Sequence, residues 1–308
     1  MQDIFQKTLQ KNINFNGTGL HSGLTTKVNI IPSESNTGIV FKRVDHAENN
    51  IITANYKNVS SAKLCTTLEN FSGIKVSTVE HLMAAFYITG IDNALVEIDN
   101  EEIPIMDGSS KNFIELINNA GLKIQNSKRK FLKIIEKVEI KENQKSISIE
   151  PSNLGFDVNF QINYANETIG KQKNHVQFYD SNLEEVYASR TFCLFEDIEK
   201  IKKAGLAKGG SLENAVVVKN KKILNKGGLR NSKEFVNHKI LDLAGDFLLS
   251  GYRIIGSVKC EQGGHLFTNM FLKELFKKTS SFVELDLENL ELIKKEFKTP
   301  ENKIAINA

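Results

Sequence analysis

The sequence predicts an α+β fold of two duplicated domains, and three observations carry that reading. A strand–turn–strand pattern occurs twice, each time around a Pro-Ser turn. A periodic helix followed by an alternating strand also occurs twice. The two patterns come in the same order in each half.

The first pattern runs Val28-Asn29-Ile30-Ile31-Pro32-Ser33, then Gly38-Ile39-Val40-Phe41. The second runs Ile147-Ser148-Ile149-Glu150-Pro151-Ser152, then Gly155-Phe156-Asp157-Val158-Asn159-Phe160. Alternating apolar residues on either side of a turn residue are a hairpin signature. The chain holds only four prolines, so two in matching turns point to a repeat.

Thr78 to Tyr87 is periodic and apolar, Ser77 or Thr78 can cap its start, and Gly90 can stop it. Asn93 to Ile98 then alternates as a strand. Glu234 to Leu249 reads as a strongly amphipathic helix stopped by Gly251, with Tyr252 to Val258 as the following strand. The expected domains are residues 1–126 and 127–308. They meet at the polar, basic run Gln125-Asn126-Ser127-Lys128-Arg129-Lys130, read as a linker. The second half is longer between its turn and its helix, so an insertion is expected at about 193–228, with a loop and a short strand.

Composition narrows the function. A net charge of +3 over 308 residues lacks the basic excess of a nucleic-acid-binding protein. No apolar stretch approaches the ~20 residues that cross a bilayer, and the N-terminus lacks the layout of a signal peptide. Cys65, Cys193 and Cys260 are odd in number and widely spaced, which argues for reduced thiols. A cytoplasmic protein and a monomer are expected.

His238, Asp242 and Asp246 are spaced i, i+4, i+8 and so share one side of a helix. An imidazole and a carboxylate one turn apart can converge on a metal ion, although a solvated helix pair has the same spelling. The matching helix of the first half opens Ser77-Thr78-Val79-Glu80-His81. If the two helices face each other, His81 can join His238 and Asp242. Two imidazoles and one carboxylate leave a fourth tetrahedral position for water, the layout of a catalytic zinc site. Glu80 then stands beside a ligand as a candidate base, or serves the helix N-terminus electrostatically. Gln262-Gly263-Gly264-His265 places an imidazole on a loop, suited to acid or oxyanion work near neutral pH. His21, His46 and His175 lack such company. No HExxH is present, which counts against the commonest peptidase layout. A nucleotide-sugar binding protein without catalysis remains the non-enzymatic alternative.

The chain resembles the UDP-3-O-acyl-N-acetylglucosamine deacetylases, zinc amidases of lipid A synthesis in Gram-negative bacteria. The matching segments are Gly17-Thr18-Gly19-Leu20-His21-Ser22-Gly23, Ser77 to Leu82, Gly90-Ile91-Asp92-Asn93 and Glu102 to Ser109. They continue with Ser189-Arg190-Thr191-Phe192, Gly209-Gly210-Ser211, Leu229-Arg230, His238 to Asp242 and Gly264-His265. The resemblance implies two layers of strands with helices sandwiched between the two sheets. It implies Zn²⁺ on His81, His238 and Asp242, with Glu80 as general base, His265 as the cationic partner and Asp246 orienting it. Thr191 would bond the developing oxyanion, Phe192 would border the sugar and Lys239 would contact an acylated UDP-amino sugar. The insertion would line an apolar passage for the acyl chain. Gln262 departs from the family's basic residue near the diphosphate, which shifts that contact towards Lys239 and Lys145. Lys208 stands where an apolar residue is expected.

Overall fold

The computed structural model describes residues 4–179 and 182–285. Two sheets carry the repeat. In the first half, Ile13–Thr18 and Thr25–Pro32 form an antiparallel hairpin. Thr25–Pro32 pairs antiparallel with the central strand Ala94–Ile98. That strand pairs parallel with Ile39–Arg43, and Ile51–Thr53 closes the far edge. In the second half, Val138–Glu142 and Lys145–Glu150 form the hairpin. Lys145–Glu150 pairs antiparallel with the central strand Arg253–Glu261. That strand pairs parallel with Phe156–Asn163, edged by Lys171–Gln177. Strand for strand, the order and the directions agree, but the strands either side of Pro32 and of Pro151 are not the expected hairpins: in each sheet the later central strand inserts between them. Phe131–Ile134 and Phe282–Leu285 extend the second sheet.

Six helices complete the described chain: α1 Glu80–Thr89, α2 Lys111–Ala120, α3 Glu184–Tyr187, α4 Phe195–Lys203, α5 Glu234–Leu248 and α6 His265–Lys277. The α1 and α5 helices, the equivalent helices of the two halves, pack on each other. A glycine makes this approach close. A Cβ on Gly245 would lie 2.2 Å from the Glu80 carbonyl oxygen and 3.0 Å from the Ala84 nitrogen. The amphipathic reading of α5 is corrected here: every residue from Glu234 to Leu248 is buried except Lys239, because the helix has protein on all sides.

The caps differ from expectation at the start of α1 and agree at its end. Thr78 sits in the left-handed region at φ 56°, a strained setting for a β-branched residue, and its hydroxyl donates to Glu102 Oε1 at 2.9 Å. It therefore caps nothing, and Val79 occupies the cap position without a side-chain bond. Gly90 ends the helix at φ 80°. The exposed carbonyls there are taken by Arg253, which donates to the oxygens of Phe86, Tyr87 and Ile91, and by Arg129, which donates to Gly90. Asp92 holds both guanidinium groups, at 2.9 and 3.3 Å.

The run read as a linker is mostly strand. Leu122–Lys128 pairs antiparallel with Phe5–Leu9. Its one central polar side chain is tied down by hydrogen bonds: Gln125 accepts from Asn93 and donates to the Ser33 carbonyl, while Lys123 and Asn126 face outward. Such a ribbon shows no apolar alternation to read. We propose the division into 1–126 and 127–308 from the matching pairings; residues 286–308 lie outside the described residues.

Both halves carry an added three-stranded sheet between the edge strand and the main helix. It is Val59–Ser61, Thr67–Glu69 and Lys75–Val76 in the first half. In the second it is Phe192–Leu194, Val216–Lys219 and Lys222–Ile223. The second is larger and includes α4, a helix the expected loop and strand did not contain. The loop after α4 docks on the first half. Lys208 and Gly209 donate to the His21 and Leu20 carbonyls, and a Cβ on Gly209 would lie 2.2 Å from the Gly19 oxygen.

Candidate metal centre and active site

The crossing of α1 and α5 brings His81, at the start of one helix, against His238 and Asp242 on the other. All three are buried, with their ligand atoms within 4.8 Å of one another. His81 Nε2 lies 3.5 Å and His238 Nε2 3.4 Å from the same oxygen, Asp242 Oδ1. These gaps are long for hydrogen bonds. They match the edge of a tetrahedron: ligands ~2.0–2.1 Å from one ion stand about 3.3–3.4 Å apart.

Proton positions point the same way. His238 Nδ1 lies 3.1 Å from the Ser189 carbonyl, an acceptor, so Nδ1 carries the hydrogen and Nε2 presents a lone pair. Burial lowers the His238 pKa to about 3, against the opposing pull of Asp242, so the ring stays neutral. A lone pair therefore faces a carboxylate oxygen, and that buried oxygen has no hydrogen-bond partner. A cation between them resolves the conflict. The other oxygen of Asp242 accepts from Lys239 Nζ at 2.9 Å. Burial alone would raise the Asp242 pKa, but the cationic Lys239 and His265 beside it hold it well below the usual carboxylate range.

Glu80, Asp246 and His265 adjoin this triangle. His265 Nδ1 is 2.8 Å from Asp246 Oδ2, and its Nε2 is 3.7 Å from both Glu80 Oε1 and Asp242 Oδ2. Burial works against a charge on His265, but Asp246, Glu80 and Asp242 outweigh it and push its pKa up to about 10. Burial raises the Glu80 pKa, with His265 and His81 pulling the other way. His265 is not on a loop. It opens α6, and Gly264 sits at the cap. Gly263 is required just before it, since a Cβ there would lie 2.3 Å from Cys260 Sγ.

Thr66 was not singled out from the sequence. Its backbone N–H donates to Glu80 Oε2 at 3.0 Å and its hydroxyl to Asp246 Oδ1 at 2.7 Å. One residue thus orients both carboxylates. Nothing in Cys65-Thr66-Thr67 marks it, because its partners are 14 and 180 residues away. Glu102 has a similar place one layer out, accepting from the backbone N–H of His21 and Ser22 and from Thr78.

Two adjoining cavities open beside the site. One of about 360 Å³ is lined by Thr191, Phe192, Lys239, Lys145 and His265, among others. The other, about 420 Å³, is walled largely by apolar residues of the insertion and shares Leu64, Thr191, Phe192 and Cys193 with the first. His21 lines this passage, which gives it a setting its sequence neighbours did not signal. Lys208 does not line it. Gln262 is committed elsewhere: its side chain accepts from the Asn163 N–H at 2.8 Å and donates to the Asn163 carbonyl at 2.5 Å. Cys65 and Cys260 are buried free thiols whose pKa burial pushes up to about 12, and Cys193 is half-buried and also free.

A buried base and a buried triangle of candidate metal ligands thus stand behind a cationic imidazole that lines a cavity, and this cavity adjoins an apolar passage. That arrangement fits the class of hydrolases that work through a bound metal, and the two cavities give the candidate site one polar and one apolar side. Comparison with known proteins makes the assignment particular. Residues 6–277 match the family described as UDP-3-O-acyl N-acetylglycosamine deacetylase, and the chain belongs to this family. Relatives named UDP-3-O-acyl-N-acetylglucosamine deacetylase include those of Shewanella oneidensis, Wigglesworthia glossinidia brevipalpis and Citrifermentans bemidjiense. The first is 40% identical over 92% of this chain and 94% of its own. The second is 40% identical over 93% and 97%, and the third 41% identical over 92% of each. No helix among the described residues is long and apolar enough to cross a membrane.

Proposed function

We propose that this protein hydrolyses the acetamide of UDP-3-O-acyl-N-acetylglucosamine, releasing acetate and UDP-3-O-acyl-glucosamine, the committed step of lipid A synthesis, with zinc as its metal. The observation that carries the reading is Asp242 Oδ1, buried, without a hydrogen bond, and 3.4 and 3.5 Å from two imidazole nitrogens. When bound by His81, His238 and Asp242, zinc supplies Lewis acidity that polarises the acetyl carbonyl and ionises water near neutral pH.

The remaining work falls to the chain's own groups. Glu80, fixed by the Thr66 amide, accepts the proton of the attacking water; its raised pKa suits a base that must later release that proton. His265 keeps Nδ1 on Asp246, so its Nε2–H is free to stabilise charge on the acetyl oxygen and then protonate the leaving nitrogen. Thr191 adds a hydroxyl at the cavity wall, and Phe192 borders the sugar. Burial opposes the Lys239 charge but Asp242 more than compensates, so Lys239 stays cationic for the diphosphate, with Lys145 at the rim as its partner. The insertion takes the acyl chain.

The test is acetate release from the acylated UDP-amino sugar. Turnover stops with a chelator and returns with Zn²⁺. Glu80→Ala binds stoichiometric zinc but turns over at least about a hundredfold more slowly, the scale of general-base catalysis. His238→Ala loses the metal as well. Turnover that survives complete metal removal overturns the reading.

A further inference from the structure

The mouth of the apolar passage is surrounded by a surface that the deacetylation chemistry does not use. Residues 193–228 carry eight lysines against four acidic residues, a net +4, while the whole chain carries +3. The positive excess of the protein is therefore concentrated in the segment that walls the passage. The same rim exposes large apolar side chains: Leu64 is 50% exposed, Leu212 44% and Phe195 42%, and all three line the passage. The α4 helix has no buried residue. Phe195, Ile198 and Ile201 of its apolar side face the passage, while Glu196 and Asp197 in its first turn and a Glu199–Lys203 pair at 2.7 Å offset its lysines, so the excess positive charge of the segment lies in the loop and hairpin beyond it. Exposed apolar side chains beside a cationic hairpin are the composition of a surface that lies against an anionic bilayer interface.

The neighbouring hairpin adds a feature that water alone does not explain. Lys219 and Lys222 stand directly opposite each other across Val216–Lys219 and Lys222–Ile223, with Lys221 in the turn between them. Like charges directly opposite destabilise a strand pair. Lys221 is drawn to Glu167 at 2.7 Å, while Lys219 Nζ sits 4.1 Å from the Phe195 ring centroid, over an exposed aromatic of the rim. Edge lysines also discourage strand pairing, but that role does not require an apolar rim beside them.

We infer that the face formed by α4 and this hairpin docks the protein on an anionic lipid bilayer, setting the mouth of the passage against the acyl layer. It rests on the acyl-sugar reading above only for the identity of the molecule that moves through the passage. Docking would let an acyl chain pass between bilayer and passage without crossing water.

The experiment is vesicle flotation of the full chain with phosphatidylcholine alone and with added phosphatidylglycerol, at low and high salt. At roughly 1 kcal/mol per lysine near an anionic surface, partitioning onto the anionic vesicles is expected to exceed that onto neutral ones by at least about tenfold and to fall with salt. Lys219→Glu with Lys222→Glu is expected to remove most of it. Lys11→Glu with Lys123→Glu, at the ribbon beyond the far end of α1, is expected to leave it intact. Thermal unfolding checks that both variants are folded. Equal partitioning on both vesicle types, or no loss in the Lys219/Lys222 variant, overturns the inference. So does binding to polyglutamate without binding to vesicles, which would assign the face to an acidic protein. Because flotation involves no turnover, its failure leaves acetate release, and the reading that rests on it, untouched.

Discussion

At the residue scale the site depends on how buried charges are matched. Thr66 holds Glu80 through its amide and Asp246 through its hydroxyl. Removing the hydroxyl leaves a buried carboxylate oxygen short of a donor, a cost of about 1–3 kcal/mol. Thr66→Val is therefore expected to lower kcat by about tenfold or more with little change in KM or zinc content, and Thr66→Ser to restore it. A Val variant with normal kcat would remove Thr66 from the machinery. His265 gives a pH signature. Its pKa stands at about 10 against an ordinary value of 6.5. A base bound to its proton more tightly in the folded state stabilises that state fully below the unfolded pKa, and loses the benefit as pH rises through the folded one. In metal-free protein, the stability advantage of wild type over His265→Gln should be present at pH 6 and shrink towards pH 10, as read by urea unfolding. An advantage that is constant over that window would exclude the cation.

At the scale of elements, the helix crossing makes the site. A Cβ on Gly245 would meet the Glu80 carbonyl at 2.2 Å, a backbone atom that can move only with its helix. Gly245→Val should push α1 from α5, separate His81 from His238 and Asp242, and cost about 1–3 kcal/mol of stability. Calorimetry of zinc binding checks it: affinity should fall together with the melting temperature, whereas a variant that melts lower but binds zinc normally would uncouple the crossing from the site. The helix pair and the cluster of candidate ligands were legible because they are local patterns: His238 and Asp242 one turn apart, Glu80-His81 at a helix start, and Pro32 and Pro151 marking equivalent turns. What stayed illegible is what distant partners decide. Thr78 looks like a cap yet serves Glu102. Gln125 looks like linker yet sits in a strand held by side-chain bonds. The start of α6 was read as loop because Gly263 and Gly264 signal a bend without saying that a helix follows at once, and α4 was passed over within an insertion expected to hold a loop and a short strand. Gln262 was flagged as a missing diphosphate contact, and the structure shows it spent on the Asn163 backbone.

At the scale of the whole molecule, the passage belongs to both halves. Leu20 and His21 come from the first, and most of the remaining wall comes from the insertion of the second. The two meet where Gly209 packs on Gly19 and where Lys208 and Gly209 donate to the His21 and Leu20 carbonyls. The first-half loop is itself held from behind by Glu102, whose two oxygens accept from the amides of His21 and Ser22 while one also takes the Thr78 hydroxyl. A carboxylate with three donors in a buried setting is a strong clamp, because charge-assisted bonds are about twice as strong as neutral ones. Glu102→Gln keeps the size but turns one acceptor into a donor, which then faces an N–H. The loop should loosen, and with it one wall of the passage, while the metal triangle on α1 and α5 stays in place. The expected result is substrate-specific: KM for a long-chain acyl substrate rises by about tenfold, KM for a short-chain analogue changes little, and zinc content is normal. An equal rise for both chain lengths would mean that Glu102 supports the catalytic end through Thr78 instead of the passage wall.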